Sequence, residues 1–413
     1  MASSVVTHSE LRHLAIAGAG LAGARTAFSL RKLGYTGTLT LLNAEQHPPY
    51  DRPPLSKELF TRSAPALLST EQGVDVYELA NRVLDNTLLR AIHPAPSGGD
   101  WPLQLHLATA GQEENLGVDG VVLATGARAL QPPAWAGVRT LRTLDDAGAL
   151  RASLNPGAHL VIVGAGWIGA EVAAAARAVG MRVSVVEAGG RPFARVLPPE
   201  ITEHLVPWFA QAGVELHLAS RVTQVVAAGS AKNLVLEDGT ELVADEVLIA
   251  VGVRGNADGY WPGSTTVTGL IPVDGELRPT APGPLPADRI RVVGDLAGRT
   301  HPDYLTVPTG HWDFALHDGE LAAASLLRSY GATAHLPLPP IRPPYVFSEL
   351  FGRNVAMLGM PSAGDRLEFS ADPSHDEAWA AHWYAPGSEQ LRAVFTVNDP
   401  RALSAARRKF RNQ

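Results

Sequence analysis

A glycine pattern that occurs twice constrains this chain more than any other feature of its sequence. The first copy, GAGLAG, places Gly18, Gly20 and Gly23 between an apolar stretch at 14–17 and an Ala- and Leu-rich stretch at 21–33. In such a pattern the first glycine permits a tight strand-to-helix turn. The second admits a pyrophosphate, and the third lets the helix pack closely on the strand. A further apolar stretch at 38–42 completes a predicted β-α-β unit.

The second copy, GAGWIG, repeats this arrangement with Gly164, Gly166 and Gly169. It lies between a predicted strand at 160–163 and a predicted helix that ends before position 180, and another strand follows at 183–186. Gly18 and Gly164 are 146 positions apart, a spacing too long for a solenoid repeat and suited to two nucleotide-binding domains. The fold class is therefore predicted to be α/β, with two Rossmann-like dinucleotide-binding domains.

The residues after the second strand of each unit differ between the copies. Glu187 lies where an acid bonds the adenosine ribose, and its charge would repel a 2′-phosphate, which favours NADH over NADPH. Arg191 points to the alternative, because an arginine accommodates that phosphate. The first unit has Asn43, Ala44 and Glu45 here. Glu45 either serves the ribose after a small backbone shift or is a solvated loop charge.

Three further segments place glycine directly after an apolar strand. VVLATGAR contains Thr125 and Gly126, VLIAVGVRGN contains Gly252, and RVVGDLAG contains Asp295. Each segment alone is consistent with a strand followed by a turn. Their order after two dinucleotide patterns indicates a flavoenzyme, with Asp295 placed to bind ribityl hydroxyls.

Composition limits the chemistry. The chain has no cysteine, which excludes disulfides, Cys-ligated zinc or iron–sulfur clusters and a catalytic dithiol, so redox chemistry requires a bound organic cofactor. With 34 basic and 41 acidic residues the net charge is −7, which argues against nucleic-acid binding. Since no long apolar span or signal-peptide pattern is found, we expect a cytoplasmic protein that does not bind membranes.

Together with PPYDRPPLSKELF at 48–60 and VNDPRALSAARR at 397–408, these motifs make the chain resemble the FAD-containing, NADH-dependent ferredoxin reductases of bacterial oxygenase systems. The resemblance extends over almost the whole chain and implies a glutathione-reductase-like architecture. With that architecture, the order of the motifs predicts a split FAD domain at 1–120 and 246–325, an inserted NAD domain at 121–245, and a small C-terminal α+β domain at 326–413. A Pro-rich stretch at 336–345 is the expected linker.

The resemblance also implies individual roles. Arg52 would contact the FAD pyrophosphate, and Lys57 the isoalloxazine region, where its charge stabilises the reduced ring. Glu171 would approach the nicotinamide carboxamide; alternatively, it is a first-turn acid stabilised by the helix dipole. Asp295 would bind the ribityl chain, and Trp312 would lie beside the flavin. Lys57, Glu171 and Trp312 are therefore the predicted catalytic residues.

The chain departs from the family pattern at three places around the flavin. Ala44 stands where an acid usually binds the FAD ribose, and Thr309 and Gly310 lie where the family has an Arg-x-Glu pair. The segment 347–350 reads Phe-Ser-Glu-Leu in place of Trp-Ser-Asp-Gln. These differences affect the expected FAD affinity, hydride geometry and partner.

The resemblance predicts hydride transfer from NADH to FAD, followed by single-electron transfer to a ferredoxin that feeds an oxygenase, in a monomer or dimer. Two alternatives remain open: a flavin oxidase or small-molecule reductase without ferredoxin, and a non-catalytic FAD- and NADH-binding regulatory protein. A basic cluster formed by Arg407, Arg408, Lys409 and Arg411 would steer an acidic ferredoxin, or is a solvated helix end.

Overall fold

Two five-stranded parallel sheets follow the two glycine patterns in the computed structural model, which describes residues 11–412 apart from 97, 136, 230, 264, 302–309 and 332–336. Thr309 lies outside the described residues. The chain divides into two units. The first comprises Met1–Asp51, Ala66–Arg128 and Arg254–Arg342, and the second comprises Arg52–Pro65, Ala129–Val253 and Pro343–Gln413.

The strands of the first part of the chain are β1 (His13–Ala17), β2 (Thr38–Leu42), β3 (Arg82–Leu84), β4 (Thr87–Pro94), β5 (Leu103–Thr109), β6 (Gln112–Val118), β7 (Gly120–Leu123), β8 (Ala127–Ala129), β9 (Arg139–Thr140), β10 (His159–Val163), β11 (Arg182–Val186) and β12 (Glu215–His217). Those of the second part are β13 (Val222–Ala228), β14 (Ala231–Leu236), β15 (Glu241–Ala244), β16 (Glu246–Ile249), β17 (Val253–Gly255), β18 (Ile271–Val273), β19 (Ile290–Val292), β20 (Ala297–Arg299), β21 (Tyr345–Leu350), β22 (Arg353–Gly359), β23 (Arg366–Phe369), β24 (Trp379–Tyr384) and β25 (Leu391–Val397). The helices are α1 (Leu21–Lys32), α2 (Pro54–Lys57), α3 (Leu68–Glu71), α4 (Val76–Leu79), α5 (Leu144–Ala152), α6 (Trp167–Ala178), α7 (Pro199–Gln211), α8 (Trp312–Ser329) and α9 (Pro400–Asn412).

The first unit is built on a parallel sheet with the strand order β19-β7-β1-β2-β3. Its central strands are buried and apolar, as expected for a parallel sheet covered on both faces. Helices α1 and α8 pack closely, and a Cβ on Gly319 of α8 would lie 2.5 Å from the carbonyl carbon of Arg25 in α1. Strands β4, β5 and β6 form a separate antiparallel sheet.

The second unit repeats the parallel sheet, with the order β12-β11-β10-β16-β9, and adds an antiparallel sheet of β13, β14 and β15. It also contains a five-stranded antiparallel sheet, β21-β22-β25-β24-β23, which we call the C-terminal sheet. Helix α9 covers one face of the C-terminal sheet through Ala406, Leu403 and Phe410. The predicted α/β class with two Rossmann-like sheets and a smaller C-terminal α+β part is confirmed.

The strand pairing moves two of the predicted domain boundaries. Strand β7 pairs with β1, so residues 121–123 belong to the first sheet and not to the inserted domain. Strand β16 pairs with β10, so residues 246–249 belong to the second sheet. Strands β1 and β10, which lead into the glycine turns, each pair with a parallel strand on both sides, and the chain leaves each sheet only after β7 or β16 is complete.

A buried histidine ties together the amino-terminal edge of the first sheet. The His13 ring Nε2 lies 2.9 Å from Thr40 Oγ1, which joins β1 to β2. The His13 backbone N–H donates to Asp119 Oδ2 at 2.9 Å, which joins β1 to the residue before β7. Burial lowers the pKa of His13, although the carboxylate of Asp119 acts in the opposite direction.

The second sheet has equivalent histidine hydrogen bonds at its own amino-terminal edge. The His159 ring Nε2 lies 2.9 Å from Ser184 Oγ, and the His159 N–H donates to Asp245 Oδ2 at 2.7 Å. Both histidines begin the strand that leads into a glycine turn. The two sheets are therefore fixed by equivalent contacts at the edge opposite to the glycine turns.

Candidate functional site

The first glycine turn has the close packing that its sequence predicts. Gly18 has a φ of 117°, and a Cβ there would lie 2.2 Å from the carbonyl oxygen of Ala124, which follows β7. A Cβ on Gly23 would lie 1.9 Å from the Gly18 carbonyl oxygen. Around Gly20, in contrast, no residue from the described part of the chain, apart from its sequence neighbours and its own helix backbone, lies within 4 Å of the Cβ position. The first and third glycines are needed for packing, and the second faces open space.

That open space lies at the start of α1. Gly20 is the N-cap residue, no side chain caps the helix, and the first turn has no acidic residue. A helix start of this kind presents N–H groups and the positive end of the helix dipole, which suit a phosphate. The first glycine turn therefore fits the pyrophosphate of a dinucleotide such as FAD.

The second glycine turn repeats this geometry. Gly164 has a φ of 108°, and a Cβ there would lie 2.5 Å from the Ala250 carbonyl oxygen. A Cβ on Gly169 would lie 2.0 Å from the Gly164 carbonyl oxygen, whereas the Gly166 Cβ position is open. Helix α6 begins without a side-chain cap or a first-turn acid. This turn fits a second dinucleotide.

Glu187 follows β11 and is held against the second glycine turn. Its Oε2 accepts from the Ala165 N–H at 2.9 Å, and its Oε1 accepts from the Gly189 N–H at 2.7 Å. The carboxylate is thereby fixed beside the turn that begins α6. Arg191, the alternative phosphate contact, lies 3.9 Å from the exposed carboxylate of Glu203.

In the first sheet the residue equivalent to Glu187 is Asn43. Each directly follows the strand whose last carbonyl accepts the N–H of the first motif glycine. The Asn43 amide donates to Asp85 Oδ1 at 2.8 Å. Glu45, two positions later, is half-buried, and its Oε2 accepts from the Tyr50 hydroxyl at 2.5 Å. The Glu45 carboxylate is thus fixed by the Tyr50 hydroxyl. Its predicted contact with FAD stays a prediction.

The segments that follow β7 and β16 both contain a glycine, and hydrogen bonds hold the segment after β7 in place. Thr125 Oγ1 lies 2.7 Å from the Tyr260 hydroxyl, and the Asn256 amide donates to the Thr125 carbonyl at 3.0 Å. The Asn256 N–H donates to the Gly126 carbonyl, also at 3.0 Å. Gly252 follows β16 in the same way that Gly126 follows β7. The sequence pattern predicted roles for the two glycines but not for Tyr260 or Asn256.

Asp295 lies in a single 3₁₀ turn, Gly294–Leu296, directly after β19. The turn is held from α8, because the Asp318 carboxylate accepts from the Gly294 N–H at 2.7 Å and pairs with the Arg299 guanidinium. Burial raises the pKa of Asp318, while Arg299 and the Gly294 N–H act in the opposite direction. The predicted ribityl-binding residue therefore lies on a turn with a buried ionic anchor.

Trp312 and Arg52 have defined polar partners. Trp312 is the first residue of α8, and its indole N–H donates to Asp51 Oδ1 at 2.8 Å within the first unit. The Arg52 guanidinium donates to the Arg142 carbonyl at 2.6 Å within the second unit. Their predicted contacts with the flavin and its pyrophosphate stay predictions.

A buried carboxylate network brings together two of the predicted catalytic residues. Glu171 Oε1 lies 2.6 Å from Lys57 Nζ and 2.5 Å from Ser348 Oγ, and Glu171 Oε2 accepts from Ser56 Oγ at 2.5 Å. Lys57 Nζ also donates to Ser348 Oγ at 2.9 Å. The Glu171 side chain is only 8% exposed. We call these four residues the Glu171 network.

The start of helix α6 excludes one of the two interpretations of Glu171. Helix α6 begins at Trp167, so Glu171 is its fifth residue and not a first-turn acid. The sequence predicted Lys57 and Glu171 but missed Ser56 and Ser348. Both serines lie in segments that the resemblance singled out, DRPPLSK and 347–350, yet a serine there carries no chemical signal until its neighbours in space are known.

Comparisons with known proteins agree with this geometry. The family model described as pyridine nucleotide-disulphide oxidoreductase matches residues 12–311. The ferredoxin–NAD(+) reductase component of the p-cumate 2,3-dioxygenase system of Pseudomonas putida is 30% identical over 97% of this chain and 93% of its own. The rubredoxin–NAD(+) reductase of Pseudomonas putida is 28% identical over 95% of this chain and 97% of its own.

Solved structures give the same result. The crystal structure of Fdr9 superposes with a TM-score of 0.83 at 32% identity, covering 97% of this chain and 95% of that one. Putidaredoxin reductase, in its covalent complex with putidaredoxin, gives a TM-score of 0.81 at 26% identity, covering 96% and 92%.

These matches define a class of two-nucleotide oxidoreductases. The chain belongs to the pyridine nucleotide-disulphide oxidoreductase family, and its relatives of nearly full length include a ferredoxin–NAD(+) reductase component and a rubredoxin–NAD(+) reductase. The expected oxidoreductase class, with the cofactors FAD and NADH, is confirmed. The chain has no cysteine, so the disulfide in the family description has no counterpart here. In the part of the chain that the structure describes, no helix combines the length and apolar character needed to cross a membrane.

Proposed function

We propose that this protein passes electrons from NADH through FAD to a small iron–sulfur ferredoxin that serves an oxygenase. The observation that carries the proposal is the pair of glycine turns that lead into helices without side-chain caps, together with the ion pair between half-buried Lys57 and buried Glu171 in the second unit. Relatives of nearly full length with ferredoxin reductase names support it. A cytoplasmic location stays a prediction.

The first glycine turn, with Gly18, Gly20 and Gly23, would hold the FAD pyrophosphate. To FAD we also assign the residues predicted from the sequence, namely Glu45, Arg52, Lys57, Thr125, Gly126, Asp295 and Trp312. FAD supplies the conversion of a two-electron hydride into single electrons. The chain's own contribution is to bind, orient and stabilise charge.

The second glycine turn would hold NADH through Gly164, Gly166 and Gly169. The fixed Glu187 carboxylate is positioned to accept from ribose hydroxyls and to repel a 2′-phosphate. We assign Arg191 and Gly252 to the same site on the sequence prediction. Lys57 would stabilise negative charge on the reduced flavin ring, and Glu171 would orient the carboxamide of the nicotinamide.

Anaerobic addition of NADH to the purified, FAD-loaded protein tests this function. We expect NADH to bleach the flavin absorption rapidly, and we expect cytochrome c reduction to require an added ferredoxin, for which putidaredoxin is a first choice. A flavin that NADH fails to reduce would overturn the proposal. If NADH is consumed rapidly in air, at a rate that does not depend on ferredoxin, and peroxide is formed, the protein is instead an oxidase.

A slow reduction with a long-lived NADH-dependent absorption band would identify a regulatory protein.

The Lys57→Ala variant is the mutational test of the proposed function, because it removes the cation of the Glu171 network. We expect this variant to bind NADH but to reduce its flavin at least tenfold more slowly. This change corresponds to an increase of about 1.4 kcal/mol or more in the activation free energy.

A further inference from the structure

We propose that Ser348 is a positioning residue for hydride transfer, which sets the geometry of Lys57 and Glu171 from the C-terminal sheet. The inference rests on the proposed function and assigns a task to a residue outside both nucleotide-binding sheets. Ser348 would touch neither nucleotide and would act through its two charged neighbours.

The Ser348 hydroxyl contacts both members of the ion pair. It donates to Glu171 Oε1 at 2.5 Å and accepts from Lys57 Nζ at 2.9 Å, while Lys57 and Glu171 lie 2.6 Å apart. A hydroxyl has one hydrogen and two lone pairs, so it serves both contacts at once. The three polar groups form a closed triangle in which displacement of one member strains the bonds to the other two.

Ser56 completes the coordination of the carboxylate from the opposite side. Its hydroxyl donates to Glu171 Oε2 at 2.5 Å, so each carboxylate oxygen has a serine donor and only Oε1 also has the ammonium. A buried ion pair is favourable only when further hydrogen bonds satisfy its remaining lone pairs and protons. The two serines meet this requirement, but only Ser348 also contacts Lys57.

The position of Ser348 is set by a sheet. Strand β21 alternates, with Ser348 buried at 4% exposure and Phe347 exposed at 40%. Strand β21 pairs with β22 in antiparallel register, with Ser348 opposite Val355, so the serine cannot shift without its sheet. Lys57, in contrast, ends the four-residue helix α2 and has a long, flexible side chain. The rigid partner in this contact is therefore Ser348.

Removal of the hydroxyl leaves Lys57 and Glu171 with one partner fewer each. We expect Ser348→Ala to slow the reduction of FAD by saturating NADH about tenfold, a typical cost of one hydrogen bond to a charged group. We also expect the midpoint potential of the bound flavin to become more negative. The reason is that a less firmly held Lys57 ammonium stabilises the reduced ring less.

The experiment compares Ser348→Ala and Ser348→Cys with Ser370→Ala. Cysteine preserves side-chain size but is a weak hydrogen-bond donor. Ser370 directly follows β23, which lies at the opposite edge of the C-terminal sheet from β21, and its hydroxyl accepts from the Ala380 N–H at 2.8 Å. The readouts are stopped-flow flavin reduction by NADH and the flavin midpoint potential, measured by dye equilibration. FAD content and thermal unfolding are recorded for every variant.

Both Ser348 variants should show the slower reduction and the shifted potential, while Ser370→Ala should match the wild type. Ser348 variants that match Ser370→Ala in both readouts would overturn the inference. Loss of FAD or of the fold in both Ser348 variants would assign the serine a structural role and would also overturn it. If NADH fails to reduce the wild-type flavin, the proposed function fails, while the potentials still test the effect of Ser348 on the flavin.

Discussion

At the scale of single residues, the two nucleotide-binding sheets differ most at the position directly after their second strand. Glu187 in one sheet and Asn43 in the other follow equivalent strands, but their side chains have different partners. The Glu187 carboxylate already accepts two backbone N–H groups, so its charge is held in place before any nucleotide binds. This is the residue on which we expect nucleotide preference to depend.

We predict that the protein prefers NADH and that Glu187→Gln narrows this preference. The substitution removes the repulsion of a 2′-phosphate and weakens the bonds to ribose hydroxyls. The free-energy difference between the two cofactors, calculated from their kcat/KM values, should decrease by about 1–3 kcal/mol, the usual range for one charged hydrogen-bonding group. The measurement is kcat/KM for NADH and NADPH, with Glu237→Gln as a control at an acid that is 71% exposed and pairs with Arg221. Equal efficiencies in the unmodified protein would contradict the prediction.

The sequence was informative at this scale where a residue's role follows from local spacing. The motif glycines, Glu187 and Asp295 lie where the pattern of strand, turn and helix predicts them. Ser348 could not be found in this way, because it meets Glu171 across 177 positions and belongs to a different sheet. Such a contact depends on how distant strands and helices pack.

At the scale of elements, the strands and helices around both glycine patterns match their predicted ranges to within one or two residues. Strands β7 and β16 pair outside the ranges predicted for their sheets, because an apolar strand does not reveal which sheet it will join. Tertiary pairing decides that question. The histidine contacts at the amino-terminal edges could likewise not be predicted, although each histidine directly precedes a predicted strand and begins the observed one.

The edge contact of the first sheet leads to a pH prediction. Burial places the folded-state pKa of His13 below the unfolded value of about 6.5. Below that pH the unfolded chain binds more protons than the folded chain, so the free energy of unfolding decreases as the pH falls. We expect His13→Gln to flatten this decrease between pH 7 and pH 5 in denaturant unfolding. His93→Gln, an exposed change on β4, is the control and should retain the wild-type slope.

At the scale of the whole molecule, an acidic chain carries a basic helix. The net charge is −7, yet α9 has Arg407, Arg408, Lys409 and Arg411. The description of this cluster as a solvated helix end is incomplete. The Arg407 guanidinium lies 4.6 Å from the Tyr345 ring centre, and the Lys409 ammonium lies 5.5 Å from that of Tyr384. Two of the cations therefore also pack on the C-terminal sheet.

This arrangement separates electrostatic steering from stability. We predict that Arg408→Gln combined with Arg411→Gln slows electron transfer to an acidic ferredoxin about threefold at low ionic strength and flattens its salt dependence. Reduction of a small neutral acceptor by NADH should not change. Arg407→Gln with Lys409→Gln is the comparison pair and should also lower the melting temperature. If the first pair slows both acceptors equally, the cluster does not steer a partner.

The Glu171 network also has a consequence for how the chain folds during synthesis. Ser56 and Glu171 are 115 positions apart, and Glu171 and Ser348 are 177 apart, so its contacts close two long loops. Contacts of this sequence separation form late, because the entropy of loop closure must be overcome first. On the ribosome the Glu171 carboxylate cannot bond to Ser348 until β21 has been synthesised, and β21 emerges after all strands of the second parallel sheet. A nascent chain stalled before residue 348 would hold Glu171 without one of its hydroxyl partners, which makes the C-terminal sheet the step that completes the site.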